Sequence, residues 1–135
     1  LERMGDELEK VGSLSLECFM SGSDVGVTEI QQIAEQVAKM LSESLNAFAR
    51  LDLDLAREIF QREREVDKVY QSALRALATF MIEDPRNIGR ILNIVWIARS
   101  LERVGDHATN IAEYVIYLVQ GVDVRHPAVN QNSFD

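Results

Sequence analysis

Apolar residues recur every three to four positions along most of the chain, the period of an amphipathic helix. Four such stretches can be traced. The first runs from the start to about Met20, and Ser21-Gly22-Ser23-Asp24 ends it, with Gly22 suited to the left-handed position after a helix. The second begins at Thr28, where Thr28 and Gln31 have the spacing of a capping box. It carries Ile30, Ile33, Val37, Met40, Leu41, Leu45 and Phe48 at helical spacing. A turn at Leu51-Asp52 leads into the third, which ends near Ile82. Asp84-Pro85 opens the fourth, with aspartate as N-cap and proline at the first helical position, and Gly121 stops it after Gln120. No alternating pattern long enough for a strand is present. Short connections favour antiparallel neighbours, so the predicted fold is all-α, an antiparallel up-and-down helical bundle.

One hexapeptide occurs twice. Leu1-Glu2-Arg3-Met4-Gly5-Asp6 returns as Leu101-Glu102-Arg103-Val104-Gly105-Asp106, differing only at Met4 against Val104. A duplicated helix implies a larger duplicated unit. The expected organisation is therefore residues 1–22 as the last helix of a preceding repeat, 27–121 as a complete three-helix repeat, and 122–135 as a polar tail. The chain lacks an initiator methionine and opens inside the motif, which makes it an expected fragment of a longer protein.

The motif contains Glu-x-x-x-Asp, as Glu2 with Asp6 and Glu102 with Asp106, and the third helix adds Glu63 with Asp67. Positions i and i+4 share a helix face, and like charges there repel by a few tenths of a kcal/mol. With Glu63 at zero and about 100° per residue, Ile59, Phe60, Asp67, Tyr70, Leu74, Leu77 and Met81 fall on its side. In the fourth helix Ile91, Val95, Ala98, Glu102, Asp106, Thr109, Glu113 and Ile116 share one side, while Ile97, Leu101, Val104, Ala108, Ile111 and Val115 share the other. The acids thus interrupt stripes that are otherwise apolar, in a helix with two packing faces.

Desolvated carboxylates are costly unless paired or metal-bound. Glu63, Asp67, Glu102 and Asp106 are therefore candidate ligands, with Glu113 and Asn110 as additions and Glu2 and Asp6 as a second, partial set. Hard oxygen donors suit iron(III) or divalent manganese, magnesium or calcium better than soft ions. Arg62, Arg64, Arg99 and Arg103 offer a competing reading, in which salt bridges neutralise the acids and the chain is a helical interaction module without metal. A di-iron carboxylate bundle is a third reading, but it needs Glu-x-x-His pairs. Neither His107 nor His126 completes one. Gly5 and Gly105 cost about 1 kcal/mol each within a helix relative to alanine, which points to close approach of a neighbouring helix.

Composition narrows the function. Among 135 residues, 22 Asp and Glu face 14 Lys and Arg, a net charge of −8. So acidic a chain is repelled by nucleic-acid phosphates and anionic lipid heads. One cysteine, Cys18, excludes an internal disulfide and thiolate-rich zinc frameworks. No run reaches the roughly 20 apolar residues of a transmembrane span, and Leu1-Glu2-Arg3 does not open a secretory signal. A cytoplasmic location is expected. No phosphate-cradling glycine loop, Ser-His-Asp set or activated cysteine is present, so no enzyme activity is expected. His107 reads as a surface or packing residue, and Tyr70, Phe60, Phe80 and Trp96 as core or interface anchors.

The two Leu-Glu-Arg-x-Gly-Asp segments, Glu63 with Asp67, and the ending Tyr117-Leu118-Val119-Gln120-Gly121-Val122-Asp123-Val124-Arg125-His126 together resemble the PhoU family. The resemblance covers nearly the whole chain. It implies two three-helix repeats whose acidic motifs bind metal clusters, with Glu63, Asp67, Glu102 and Asp106 matching the second repeat and Glu2 and Asp6 the final helix of the first. Ser13 stands where the second repeat has Glu113, so the two sites need not be equivalent. The resemblance further implies a negative regulator of phosphate uptake and of the phosphate-starvation response. Its implied partners are the phosphate ABC transporter ATPase and the sensor histidine kinase, with a homodimer and peripheral placement at the inner membrane through those partners.

Overall fold

The computed structural model describes residues 26–121. Helix α1 spans Val27–Arg50, α2 Leu53–Glu83 and α3 Ile88–Gln120, with a single 3-10 turn at Pro85–Asn87 before α3. No strand occurs among the described residues. Each helix packs on the other two, in an antiparallel up-and-down bundle. The expected helix within 1–22 and the tail at 122–135 lie outside the described residues, as do Glu2, Asp6, Cys18 and His126.

The connections explain the topology. Between α1 and α2 only Leu51 and Asp52 intervene, too few to do anything but reverse the chain. Leu51 adopts φ 50°, in the left-handed region. Asp52 then caps α2, its carboxylate accepting from the Leu55 N–H at 3.1 Å. At the other end Asp84 accepts from the Arg86 N–H at 3.1 Å, and Pro85 takes the first position of the turn, as its fixed φ favours. That first turn is 3-10 rather than α-helical, a small departure from the sequence reading. Gly121, at φ 65°, closes α3 by donating to the Tyr117 carbonyl at 2.7 Å.

The start of α1 differs from expectation. The cap is Gly26, not Thr28, and no side chain caps the helix. Thr28 and Gln31 lie inside the helix and exposed, so the capping box does not form. The reason is steric. Gly26 has φ 84°, and a Cβ there would stand 2.7 Å from Ile94 Cδ1 and 2.9 Å from Leu77 Cδ2. Glycine allows both the left-handed turn and the close seating of α1 on the other two helices, and this fixes where the helix begins.

α3 is the central helix. Ile97, Leu101, Val104, Ala108 and Val115 are buried on one side, and Ile91, Ala98, Thr109 and Ile116 on the other. Both faces foreseen in the sequence are therefore packed. Ala98, Ala108 and Ala112 keep it slim enough for neighbours on two sides. The main core joins these residues to Ile33, Val37 and Met40 of α1 and Ile59, Val66 and Tyr70 of α2. A smaller cluster of Leu77, Ile91 and Ile94 sits by the α2–α3 turn. Of the four expected anchors, Tyr70 is buried and Phe60 and Phe80 are half-buried, but Trp96 is exposed.

Candidate metal centre

A cavity of about 360 Å³ opens where the three helices meet. Its walls are Met40 from α1, Phe60, Glu63, Arg64, Val66 and Asp67 from α2, and Glu102, Gly105 and Asp106 from α3. The two Glu-x-x-x-Asp pairs foreseen from spacing therefore reach one space, from different helices. Each pair arrives together because its members are one turn apart on a face, and α2 and α3 bring those faces opposite each other.

The negative charges are only partly compensated. Burial, then repulsion from Asp106, raises the Glu63 carboxyl above its ordinary range, against a hydrogen bond to Thr109 that lowers it. Burial and repulsion from Asp106 and Asp67 raise Glu102, although Arg99 and Arg103 pull it down. Burial raises Asp106, with Asp67 adding to it and His107 opposing. Water is not excluded evenly: Glu63 and Glu102 are half-buried, while Asp67 and Asp106 are exposed. The acidic patch thus lies between packed regions of α3 but is only partly desolvated.

The arginines divide. Arg62 does not serve the cavity; it pairs with Glu43 of α1 across the helix interface. Arg86 pairs with Asp84 at the turn. Arg64 lines the cavity itself. Arg99 and Arg103 act on Glu102 but do not outweigh burial and the two aspartates. Salt-bridge neutralisation is thus partial.

The remaining candidates fall outside the cavity wall. Glu113 is half-buried and acts on Glu63 through its charge. Asn110 is exposed and His107 half-buried. Gly105 is buried on the cavity wall, but a Cβ added there meets Met40 Sδ at 3.8 Å and Val37 Cγ2 at 3.9 Å, ordinary contact. Among the described residues nothing in this spacing demands glycine, contrary to the close approach expected. Arg64 is in the sequence a candidate salt-bridge partner of the acids and Thr109 a member of the acidic stripe, but spacing alone places neither at the cavity.

Four hard oxygen donors around one cavity match iron, manganese or magnesium in chemistry. As placed, no group of three or more His, Cys, Asp or Glu side chains among the described residues is drawn together tightly enough to hold an ion. The donors share a space and excess negative charge, and ligation requires their side chains to turn inward.

Residues 30–115 match the PhoU domain. This chain belongs to the PhoU family. It is 55% identical over 127 residues to the phosphate-specific transport system accessory protein PhoU homolog of Pseudomonas aeruginosa, covering 93% of this chain and 52% of that protein. It is 38% identical over 126 residues to the phosphate-specific transport system accessory protein PhoU of Escherichia coli, covering 93% of this chain and 52% of that one. The crystal structure of PhoU from Pseudomonas aeruginosa superimposes with a TM-score of 0.85 at 52% identity, over 90% of this chain and 58% of that chain. The chain thus spans about half the length of the PhoU relatives it matches. No helix among its described residues is long and apolar enough to cross a membrane.

Proposed function

We propose that this chain is part of a non-enzymatic accessory protein of a phosphate-specific transport system, and that it restrains phosphate uptake and the phosphate-starvation response by contact with other proteins. The observation that carries the reading is the convergence of Glu63, Asp67, Glu102 and Asp106 on one cavity within a PhoU-family fold. Those four side chains are the proposed metal ligands, for iron, manganese or magnesium. A cation bound there supplies electrostatic cross-linking of α2 to α3, relieving the repulsion among their carboxylates. Phosphate itself, an anion, is a poor match for this cavity. The signal is therefore proposed to pass through protein contacts, with the phosphate ABC transporter ATPase and the sensor histidine kinase as partners. The proposed setting is a cytoplasmic homodimer, peripheral at the inner membrane through those partners. Exposed Trp96 and Leu92, and the stacked pair of Phe48 and Tyr114 with ring centroids 6.2 Å apart, are apolar surface available to partners.

Two experiments test the reading. Chelator-treated chain, reloaded and assayed for bound metal, should retain it, while Glu102→Gln and Asp106→Asn should not. Equal retention by the variants removes the assignment. Purified ATPase and kinase cytoplasmic domain should each be captured by the immobilised chain and by its full-length parent; capture of neither removes the adaptor reading. The reading without metal draws support from Arg99 and Arg103 beside Glu102, and predicts stability indifferent to chelator and to manganese.

A further inference from the structure

Four cations of α2 lie in one row. Arg57, Arg64, Lys68 and Arg75 fall within about 20° of a common direction at about 100° per residue. All four are exposed. At the helical rise the row is about 27 Å long, or about five turns. Gln61 and Gln71 are the exposed residues between them, so no acid interrupts it.

These charges are unspent. Arg62 and Arg86 are committed to Glu43 and Asp84, whereas none of the four forms a salt bridge among the described residues. No acid stands four residues from any of them, so the usual pairing along a helix is missing. Arg64 and Lys68, themselves one turn apart, repel each other. This happens in a chain whose net charge is −8, with acids enough to neutralise them. The acids instead border the row, Glu63 and Asp67 on the cavity side and Glu58 and Glu65 on the other.

The arrangement selects a partner. Cations set along a line, not around a point, suit an elongated anion rather than a small one. The bordering acids limit its width. A nucleic-acid duplex or an anionic membrane would bring its phosphates over Glu58, Glu65 and Asp67 as well as over the row, and like charges so placed reject a partner. A single helix with its carboxylates along one face meets only the cations. We propose that the Arg57–Arg75 row of α2 docks an acidic helical segment of a partner protein. The row gives the protein-contact reading above a place on the molecule and rests on that reading for its biological use; it needs no metal.

The probe is a labelled alanine-based helical peptide with glutamates along one face at the spacing of the row, followed by fluorescence anisotropy against the 135-residue chain. The parent should bind it, and more weakly as ionic strength rises from about 0.01 M to about 0.15 M. Arg57→Gln/Lys68→Gln/Arg75→Gln should weaken binding about tenfold; Arg64 is left in place because it also lines the acidic cavity. Lys39→Gln/Arg50→Gln/Arg86→Gln makes the same change in net charge elsewhere and should bind as the parent does. A peptide of equal composition with its glutamates spread around the helix should bind less well than the striped one. No binding by the parent, or equal losses in the two triple variants, overturns the proposal. So does preference for phosphatidylserine vesicles or a DNA duplex over the peptide. Circular dichroism of the variants confirms that they fold. Capture of the ATPase and kinase is a separate measurement, so the docking row and the adaptor reading fail separately.

Discussion

Glu63 on α2 and Asp106 on α3 face the same cavity, and the charge of Asp106 is the strongest electrostatic influence raising the Glu63 carboxyl, second only to burial. The two residues belong to different Glu-x-x-x-Asp pairs. Their mutual repulsion is therefore a tertiary effect, not the one-turn repulsion each pair carries locally. Removing one charge should relieve it. Asp106→Asn is expected to raise the thermal midpoint of the chelator-treated chain and to shrink its gain on adding manganese. Differential scanning calorimetry with and without the ion checks both signs.

The raised carboxyls set a pH dependence. Glu63, Glu102 and Asp106 bind protons more readily folded than unfolded, from reference values of 4.5, 4.5 and 3.8. Between the unfolded and the raised folded values the folded state holds more protons, so stability falls as pH rises. The contribution is complete below about pH 4, taken from the reference values, and is lost as pH climbs through the raised ones. Metal-free urea midpoints should show this decline above pH 4 for these groups. It should flatten in Glu63→Gln/Glu102→Gln/Asp106→Asn. A parent curve parallel to that of the variant contradicts the electrostatic account.

Two glycines should respond in opposite ways. Gly26→Ala forces a side chain into φ 84° against Ile94 and Leu77, and is expected to cost more than about 1 kcal/mol. Gly105→Ala meets only ordinary contacts among the described residues, and is expected to stabilise by about 0.5–1 kcal/mol through helix propensity. Chemical denaturation of the two variants decides this.

Asp52 holds the tightest turn of the bundle. Its carboxylate satisfies the Leu55 N–H at the start of α2, so Asp52→Ala should lose about 1 kcal/mol. The loss should be smaller for Asp52→Asn, which keeps the acceptor. Urea midpoints again provide the measurement.

Much of this molecule is legible in its sequence, for identifiable reasons. The 3–4 periodicity marked all three described helices, and Asp52, Asp84-Pro85 and Gly121 end or start them by local chemistry that reads directly. The two acidic pairs sharing a cavity followed from stripes that the acids interrupt. What did not read was tertiary. Gly26 outcompeted the local capping signal of Thr28 because Ile94 and Leu77, far along the chain, demand room. Arg62 turned to Glu43 because α1 lies beside α2, which no spacing within α2 reveals. Thr109 reads as one polar member of a stripe; its burial, with its hydroxyl donating to the Gly105 carbonyl at 3.2 Å, comes from the packing of the neighbouring helices. The exposure of Asp67 and Asp106 likewise depends on the packing of α2 against α3, not on spacing within either helix.

The most direct test of the central claim is the thermal midpoint of the chain as manganese(II) is titrated from micromolar to millimolar. A ligand that binds only the folded state raises stability in proportion to the logarithm of its concentration once above its dissociation constant. The parent midpoint should climb in this way, and the variant with Gln at 63 and 102 and Asn at 67 and 106 should stay flat. A flat parent, or a variant that climbs in step with it, contradicts the account.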